Sequence, residues 1–262
     1  MIALERRGGR PLRIGHRGAA GLAPENTLAS FRAAVAAGVD LVELDVLRLE
    51  GGELVVAHSD DLRGVSHGAA AGKIGARSVT ELRGLCPDLQ TLDEALAFFV
   101  DEATGTGVHV DLKSAGAGDD VARALRGFGL AERSFASSVY AGALRRLRRL
   151  EPRVRTGIAF PRERLGIGGR ESLTPAVRSG LRALRPLAPM LVRVLLARSR
   201  GSALVLHHEL VTGRAVERAH ARGAPVVVWT VDTLEDLSRV DEAGVDAVVT
   251  NDPSIFVSTL TP

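Results

Sequence analysis

The chain alternates short aliphatic runs with longer stretches whose apolar residues recur every three to four positions. The short runs are Arg13–Gly18, Leu41–Val46, Val108–Leu112, Arg133–Ser138, Val154–Ala159, Ala203–His207, Val226–Thr230 and Ala247–Thr250. Their length and aliphatic content predict buried strands. Between them, Asn26–Ala37, Leu92–Glu102, Ala141–Leu150, Arg214–Arg222 and Leu234–Ala243 have amphipathic helical spacing. Pro24 and Gly38 bracket the first of these helices, and Asn26 or Thr27 is expected to cap it. Eight strand–helix units in 262 residues predict a parallel α/β sheet closed into a (β/α)8 barrel of the TIM type. The first strand is not followed by GxGxxG, which disfavours an open doubly wound sheet. No repeat or linker divides the chain, so one domain spanning residues 1–262 is expected.

Three segments interrupt the alternation. Leu54–His58 is strand-like and follows Val46 too closely for a crossover helix, so it should return antiparallel to the second strand. A two-residue turn at Gly51-Gly52 would then set Asp45 opposite His58, with side chains roughly 5 Å apart on one face. Ser59–Gln90 is rich in glycine and alanine and reads as a small excursion over the barrel mouth. Phe160–Ser202 contains Arg178, Arg182, Arg185, Arg193, Arg198 and Arg200, and Pro186 and Pro189 should split it into two helices.

Composition narrows the class. Hydrophobic residues at 45% and charged residues at 25% match a folded soluble chain and exclude overall disorder. Cys86 is the only cysteine, which excludes a disulfide framework. No run approaches the ~18 apolar residues of a membrane span, and residues 1–13 lack the apolar stretch of a secretory leader. A cytoplasmic protein is expected. Net charge is +3, and aromatics are only 3%, too few for the stacking that nucleic-acid binding favours.

The chemistry gathers at strand ends. Glu43 and Asp45 are two residues apart on a strand and so share a face. Asp45 lies near the C-terminal end, where barrel enzymes place their active sites, and Asp111 ends the next barrel strand. Three carboxylates on one rim suit a hard divalent ion, Mg2+ or Ca2+; the alternative is a set of salt-bridged or solvated acids. His16 and His58 fall at the same rim and can serve as general base and general acid. Arg17 and Lys113 can hold anionic oxygens. Together these residues suit phosphoryl transfer. His207 or His208 could line the pocket. His109 shares parity with Asp111 and should sit lower in the barrel. Glu25 and Asn26 could touch the site, and Asp252 should cap the closing turn.

These residues fall in recognisable strings. They are His16-Arg17-Gly18, Pro24-Glu25-Asn26-Thr27, Glu43-Leu44-Asp45, Val55-Val56-Ala57-His58, Thr91-Leu92-Asp93-Glu94-Ala95-Leu96, Asp111-Leu112-Lys113, Val228-Trp229-Thr230-Val231, Gly244-Val245-Asp246 and Thr250-Asn251-Asp252-Pro253. In this order, and over nearly the whole chain, the sequence resembles the glycerophosphodiester phosphodiesterase family. The resemblance implies a phospholipase C-like phosphodiesterase TIM barrel. Glu43, Asp45 and Asp111 would bind one divalent cation, and His16 and His58 would be the acid–base pair. Arg17 and Lys113 would hold phosphate oxygens, and Trp229 would form part of the substrate wall. A substrate glycerol hydroxyl would attack phosphorus, and water would open the resulting cyclic phosphate to glycerol 3-phosphate and an alcohol.

The chain also departs from the family pattern. Ser59 follows His58 where the family usually has Asp, and Arg63-Gly64-Val65-Ser66 replaces an Arg-Thr-Thr string. Asp111 and Asp232 stand where Glu and Asn are common. Alcohol specificity therefore stays open. Two alternatives compete with glycerophosphodiester hydrolysis. One is phospholipase D-like action on lysophospholipids or sphingomyelin at a membrane. There the arginines of 176–200 would meet anionic lipid beside an apolar side of Leu181, Leu184, Leu187, Leu191, Val194 and Leu195. The other is an inactive binding barrel, although none of the five acids and histidines is missing.

Overall fold

Among the described residues nine segments take up extended backbone, and eight of them run parallel. The computed structural model describes residues 1–162 and 174–259. Its strands are β1 (Leu12–Gly15), β2 (Leu41–Arg48), β3 (Leu54–Val56), β4 (Gly107–Leu112), β5 (Ser134–Ser138), β6 (Arg155–Phe160), β7 (Ala203–His207), β8 (Val226–Trp229) and β9 (Ala247–Thr250). β1 pairs with both β2 and β9, so the parallel strands close into a TIM barrel. The helices around it are α1 (Leu28–Ala36), α2 (Leu62–Val65), α3 (Val79–Leu85), α4 (Leu92–Asp101), α5 (Gly118–Gly127), α6 (Ala141–Leu150), α7 (Thr174–Ala183), α8 (Ala188–Ser199), α9 (Gly213–His220) and α10 (Leu234–Glu242). Thr27 caps α1 through the Ser30 amide; Asn26 is used elsewhere.

Strand parity sorts the side chains into two layers. Val42, Leu44, Val46, Val108 and Val110 point outward and pack under the helices. Leu41, Phe135, Val205, Val227 and Val249 point inward and fill the barrel. A Cβ on Gly157 would come within 2.6 Å of the Phe135 ring, so the ring depends on that glycine for its space. Glu43, Asp45, His109 and Asp111 have inward parity.

The expected pairing of Asp45 with His58 does not occur. Val46 pairs with Val56 and Arg48 with Leu54, which places Ala57 beside Asp45 instead. The loop holds three residues, Glu50, Gly51 and Gly52, because the Leu49 amide bonds to the Glu53 carbonyl. Gly52, at φ +103°, takes the left-handed position of such a loop. One extra loop residue shifts the register by one. His58 reaches the rim by another route. β3 ends at Val56, and the chain turns there into the excursion.

That excursion has a small core of its own, formed by Leu49, Val55, Leu62, Ile74, Leu82 and Cys86. Asp60 Oδ1 accepts the Ile74 and Gly75 amides, and Asp61 caps α2. The acids after Ser59 therefore build the loop. Cys86 is buried packing.

Pro186 and Pro189 do separate α7 from α8, as expected. Residues 163–173 of the same connection lie outside the described residues. Three of its arginines turn inward. Arg178, Arg182 and Arg185 converge on the buried Glu209 carboxylate at 2.8, 2.8 and 2.9 Å. Leu181 is buried, whereas Leu184, Leu187 and Val194 are exposed, so the expected apolar side is divided between core and surface. Burial pushes the Glu209 carboxyl up, but Arg182 and Arg178 outweigh it and hold it at about 2, below its ordinary 4.5. A depressed carboxyl stabilises the fold fully above its unfolded pKa and loses that contribution as pH falls toward 2. Glu209→Gln should cost about 2 kcal/mol near neutral pH and much less near pH 3, as read from urea denaturation at both. An equal cost at both would show that the charge of Glu209 is not what holds α7.

Candidate active site

The β2–β4 register sets Asp45 beside Asp111 and Glu43 beside His109. Carboxylate oxygens of Glu43, Asp45 and Asp111 lie within 4.8 Å of one another. Glu43 and Asp45 are buried. Lys113 Nζ stands 2.8 Å from Asp45 Oδ1 and 2.5 Å from Asp111 Oδ2, and Arg17 Nε is 3.1 Å from Asp45 Oδ2. Asn26 grips Asp45 twice: its Nδ2 donates to Oδ2 at 2.9 Å, and its Oδ1 accepts the Asp45 amide at 3.1 Å. The Arg17 amide donates to Glu43 Oε2 at 2.7 Å. Arg17 and Asn26 adopt φ of +50° and +60°. That conformation costs roughly 1–2 kcal/mol for a residue with a Cβ; here it aims both residues at the acids.

Each acid settles differently. Burial raises the Glu43 carboxyl well above its ordinary value, and Asp45 adds to this. Burial acts on Asp45 in the same direction, but Lys113 and Arg17 outweigh it and hold Asp45 well below. Asp111 is also lowered, because Lys113 overcomes its burial. Burial opposes the charge on Lys113, yet Asp111 and Asp45 raise its pKa, so the ammonium is firmly protonated.

His16, just past β1, is held by an acid–amide chain. Asn251 Oδ1 lies 2.7 Å from His16 Nδ1. Asp232 takes both Asn251 N–H groups, Nδ2 at 2.7 Å and the backbone amide at 2.8 Å. With its amide hydrogens turned to Asp232, Asn251 presents its oxygen to His16. The imidazole therefore carries its hydrogen on Nδ1 and leaves a lone pair on Nε2. Burial, with Arg17 nearby, lowers His16 to about 3. Burial also lowers His58, against the pull of Asp45. His58 lines a cavity of about 50 Å³ with Glu25, Asn26, Ser59, His67 and Asp88.

The remaining expected residues fall around this centre. Arg17 Nη1 meets Glu25 at 2.6 Å, so Glu25 and Asn26 both touch the site. Trp229 packs edge-on against His207 with ring centroids 5.3 Å apart, and its buried Nε1 has no hydrogen-bond partner. His208 turns away to Asp236, at 3.2 Å. His109 does lie lower, with Nε2 2.9 Å from Ser137 Oγ, which donates to Asp111. Asp252 accepts the Ser254 amide in the closing turn. The sequence reading missed the Asn251–Asp232 support of His16 and the Ser137 bridge. Parity carries the missing signal: residue 251 continues the inward positions 247 and 249, and Ser137 those of Phe135.

The acid cluster suits a hard cation. It offers oxygen donors alone, and Asp45 Oδ1 is buried with no hydrogen bond, facing only the Lys113 ammonium. Glu43, Asp45 and Asp111 thus offer converging carboxylate oxygens of the kind that Mg2+ or Ca2+ takes, in a place where Lys113 and Arg17 now answer their charge.

Comparison with known proteins gives a consistent result. The model of the Glycerophosphoryl diester phosphodiesterase family matches residues 16–255. The chain is 26% identical over 261 residues to a glycerophosphodiester phosphodiesterase of Caldanaerobacter subterraneus subsp. tengcongensis, covering 94% of this chain and 96% of that protein. The crystal structure of a glycerophosphodiester phosphodiesterase from Thermotoga maritima has a TM-score of 0.71 at 24% identity, over 95% of this chain and 98% of that one. An Oleispira antarctica phosphodiesterase, solved with its product sn-glycerol-3-phosphate, has a TM-score of 0.71 at 22% identity, over 96% and 97% of the two chains. At these identities the structural likeness establishes the fold.

Asn251→Ala should release Nδ1 of His16 and let the two neutral tautomers mix. Nitrogen-15 shifts of the His16 ring would report this directly. A ring still locked with its hydrogen on Nδ1 would show that Asn251 does not set the tautomer.

Proposed function

The chain belongs to the glycerophosphoryl diester phosphodiesterase family and is a phosphoric diester hydrolase, and from this we propose that it releases glycerol 3-phosphate from small glycerophosphodiesters with the help of one divalent cation. The observation that carries this reading is the convergence of His16, His58 and three carboxylates on one barrel rim, with His16 presenting a free Nε2. Glu43, Asp45 and Asp111 would hold Mg2+ or Ca2+. When bound, the cation supplies positive charge that offsets the charge building on the phosphoryl oxygens.

The chain's own residues divide the remaining work. His16 Nε2 takes the proton from the glycerol hydroxyl next to the phosphate ester. That oxygen bonds to phosphorus, and the bond from phosphorus to the head-group oxygen breaks. His58 gives a proton to the departing alcohol, and the Asp45 carboxylate favours its charged form. The cyclic phosphate is then opened by water with the two histidines in reversed roles. Arg17 and Lys113 hold the phosphate oxygens, and Arg17 is fixed at the rim by Glu25 and Asp45. Trp229 forms part of the substrate wall, and its unpartnered Nε1–H is a donor for a glycerol oxygen.

A second reading, lysophospholipid cleavage at a lipid surface, draws on one observation. Leu184, Leu187, Met190 and Val194 are exposed on the α7–α8 segment. A lysophospholipid carries an acyl chain on its glycerol, and an apolar surface of this kind would favour contact with the lipid layer that holds it.

Glycerol 3-phosphate release from glycerophosphocholine, measured with Mg2+, with Ca2+ and with chelator, tests the first reading. Release should need the metal. His16→Ala and His58→Ala should each lower kcat by roughly a hundredfold or more while metal binding persists. Glu43→Ala should lose the metal as well. Normal turnover by His58→Ala would remove its assigned role. Choline release from lysophosphatidylcholine, with no glycerol 3-phosphate from glycerophosphocholine, would select the second reading.

A further inference from the structure

We propose that the outer face of α6 and α8, together with the turn between α7 and α8, docks on an anionic lipid bilayer. α8 buries Ala188, Val192 and Leu196, which pack with Leu144 of α6. Helical geometry turns Met190, Arg193 and Val194 to the opposite side. Met190 is 60% exposed, Val194 48% and Leu187 47%, and Leu184 extends the row at 38%. Four large apolar side chains in one row are more than scattered surface residues require.

Charge separates this face from the neighbouring α7. Arg178, Arg182 and Arg185 are committed to Glu209. Arg145, Arg148, Arg149, Arg193, Arg198 and Arg200 are exposed and have no ion-pair partner among the described residues. Residues 141–150 and 174–200 contain no acid at all. Arg145 Nη1 donates to the Arg198 carbonyl at 2.6 Å, and Arg148 to that of Arg200, so the two helices present one continuous basic surface. An apolar row flanked by unneutralised arginines is complementary to anionic head groups above an acyl layer. A nucleic acid would use the arginines but gain nothing from Leu187 or Met190, and the helices themselves carry no aromatic ring; Tyr140 at the start of α6 is a single ring beside Arg145 and Arg198. α8 runs back along the barrel ahead of β7, so its first residues stand at the level of the catalytic mouth. The surface is separate from the catalytic rim and does not depend on the hydrolytic reading.

Sedimentation of the full chain with vesicles tests the proposal. Vesicles of phosphatidylcholine alone are compared with vesicles containing about 30% phosphatidylserine, at low and at roughly 0.5 M salt. Binding should appear with phosphatidylserine and fall with salt. Arg149→Ser with Arg193→Ser, two exposed positions, should weaken binding roughly twentyfold. Leu187→Ser with Met190→Ser should weaken it about tenfold. Circular dichroism confirms that both double variants are folded. Binding that ignores lipid charge, or no binding, overturns the proposal. Full binding by both double variants places the contact elsewhere and also overturns it. If the arginine variant loses vesicles and duplex DNA alike while the Leu187/Met190 variant loses neither, the face serves nucleic acid and the proposal falls.

Discussion

Three carboxylates at most 4.8 Å apart, two of them buried, are the constraint around which this barrel mouth is built. Two like charges at that distance repel by about 3 kcal/mol at an effective dielectric of ~20. Such a cluster persists only if cations or protons balance it. Lys113 and Arg17 supply the cations, which is why Asp45 and Asp111 stay charged while Glu43 is pushed toward its protonated form. The left-handed turns at Arg17 and Asn26 follow from the same need, since they bring a guanidinium, a backbone amide and a carboxamide onto the acids. A divalent ion would answer the same deficit with greater charge density, so the cluster serves both for folding and for chemistry.

The barrel makes this crowding possible. Parallel strands closed on themselves give every second residue an inward direction, and the mouth is where inward residues can be polar without filling the core. Below the mouth, Phe135 plugs the barrel against Gly157, and the His109 ring packs tilted against it with centroids 4.6 Å apart. Above it, strand ends from opposite parts of the sequence meet. His16 from β1 is supported by Asn251 after β9 and by Asp232 after β8. The two histidines thereby differ in kind. His16 is locked by an amide with one nitrogen free, whereas His58 hangs from a loop beside the Asp45 charge. The first environment suits the acceptor role proposed for His16, and the Asp45 charge is what would favour the protonated form in the donor role proposed for His58.

Much of this was legible in the chain. Strand–helix alternation gave the barrel, since period and length are local properties. The acid cluster was legible because a spacing of two on a strand defines a face, whereas His58 was expected at the rim through a pairing that does not occur. The hairpin register was not, because one additional loop residue reverses it, and turn type depends on a backbone angle at Gly52 that composition does not reveal. The support of His16 was also hidden. Asn251 and Asp232 are remote from His16 in sequence, and only closure of the barrel makes them neighbours. The Arg-rich segment misled in part for the same reason: its partner Glu209 lies beyond the segment itself.

Arginine usage shows one pattern twice. Two glutamates buried under the outer helices each gather two or three arginines. Arg126 and Arg153 meet the buried Glu151 at 2.9 and 2.8 Å, just as three arginines of the α7 region meet Glu209. At both places the arginines outnumber the acid. The small net charge of +3 hides this local surplus. Arginines on the outer face of α6 and α8 have no ion-pair partner among the described residues. They have no acid in their own helices to answer them, which leaves that face suited to the anionic bilayer proposed above.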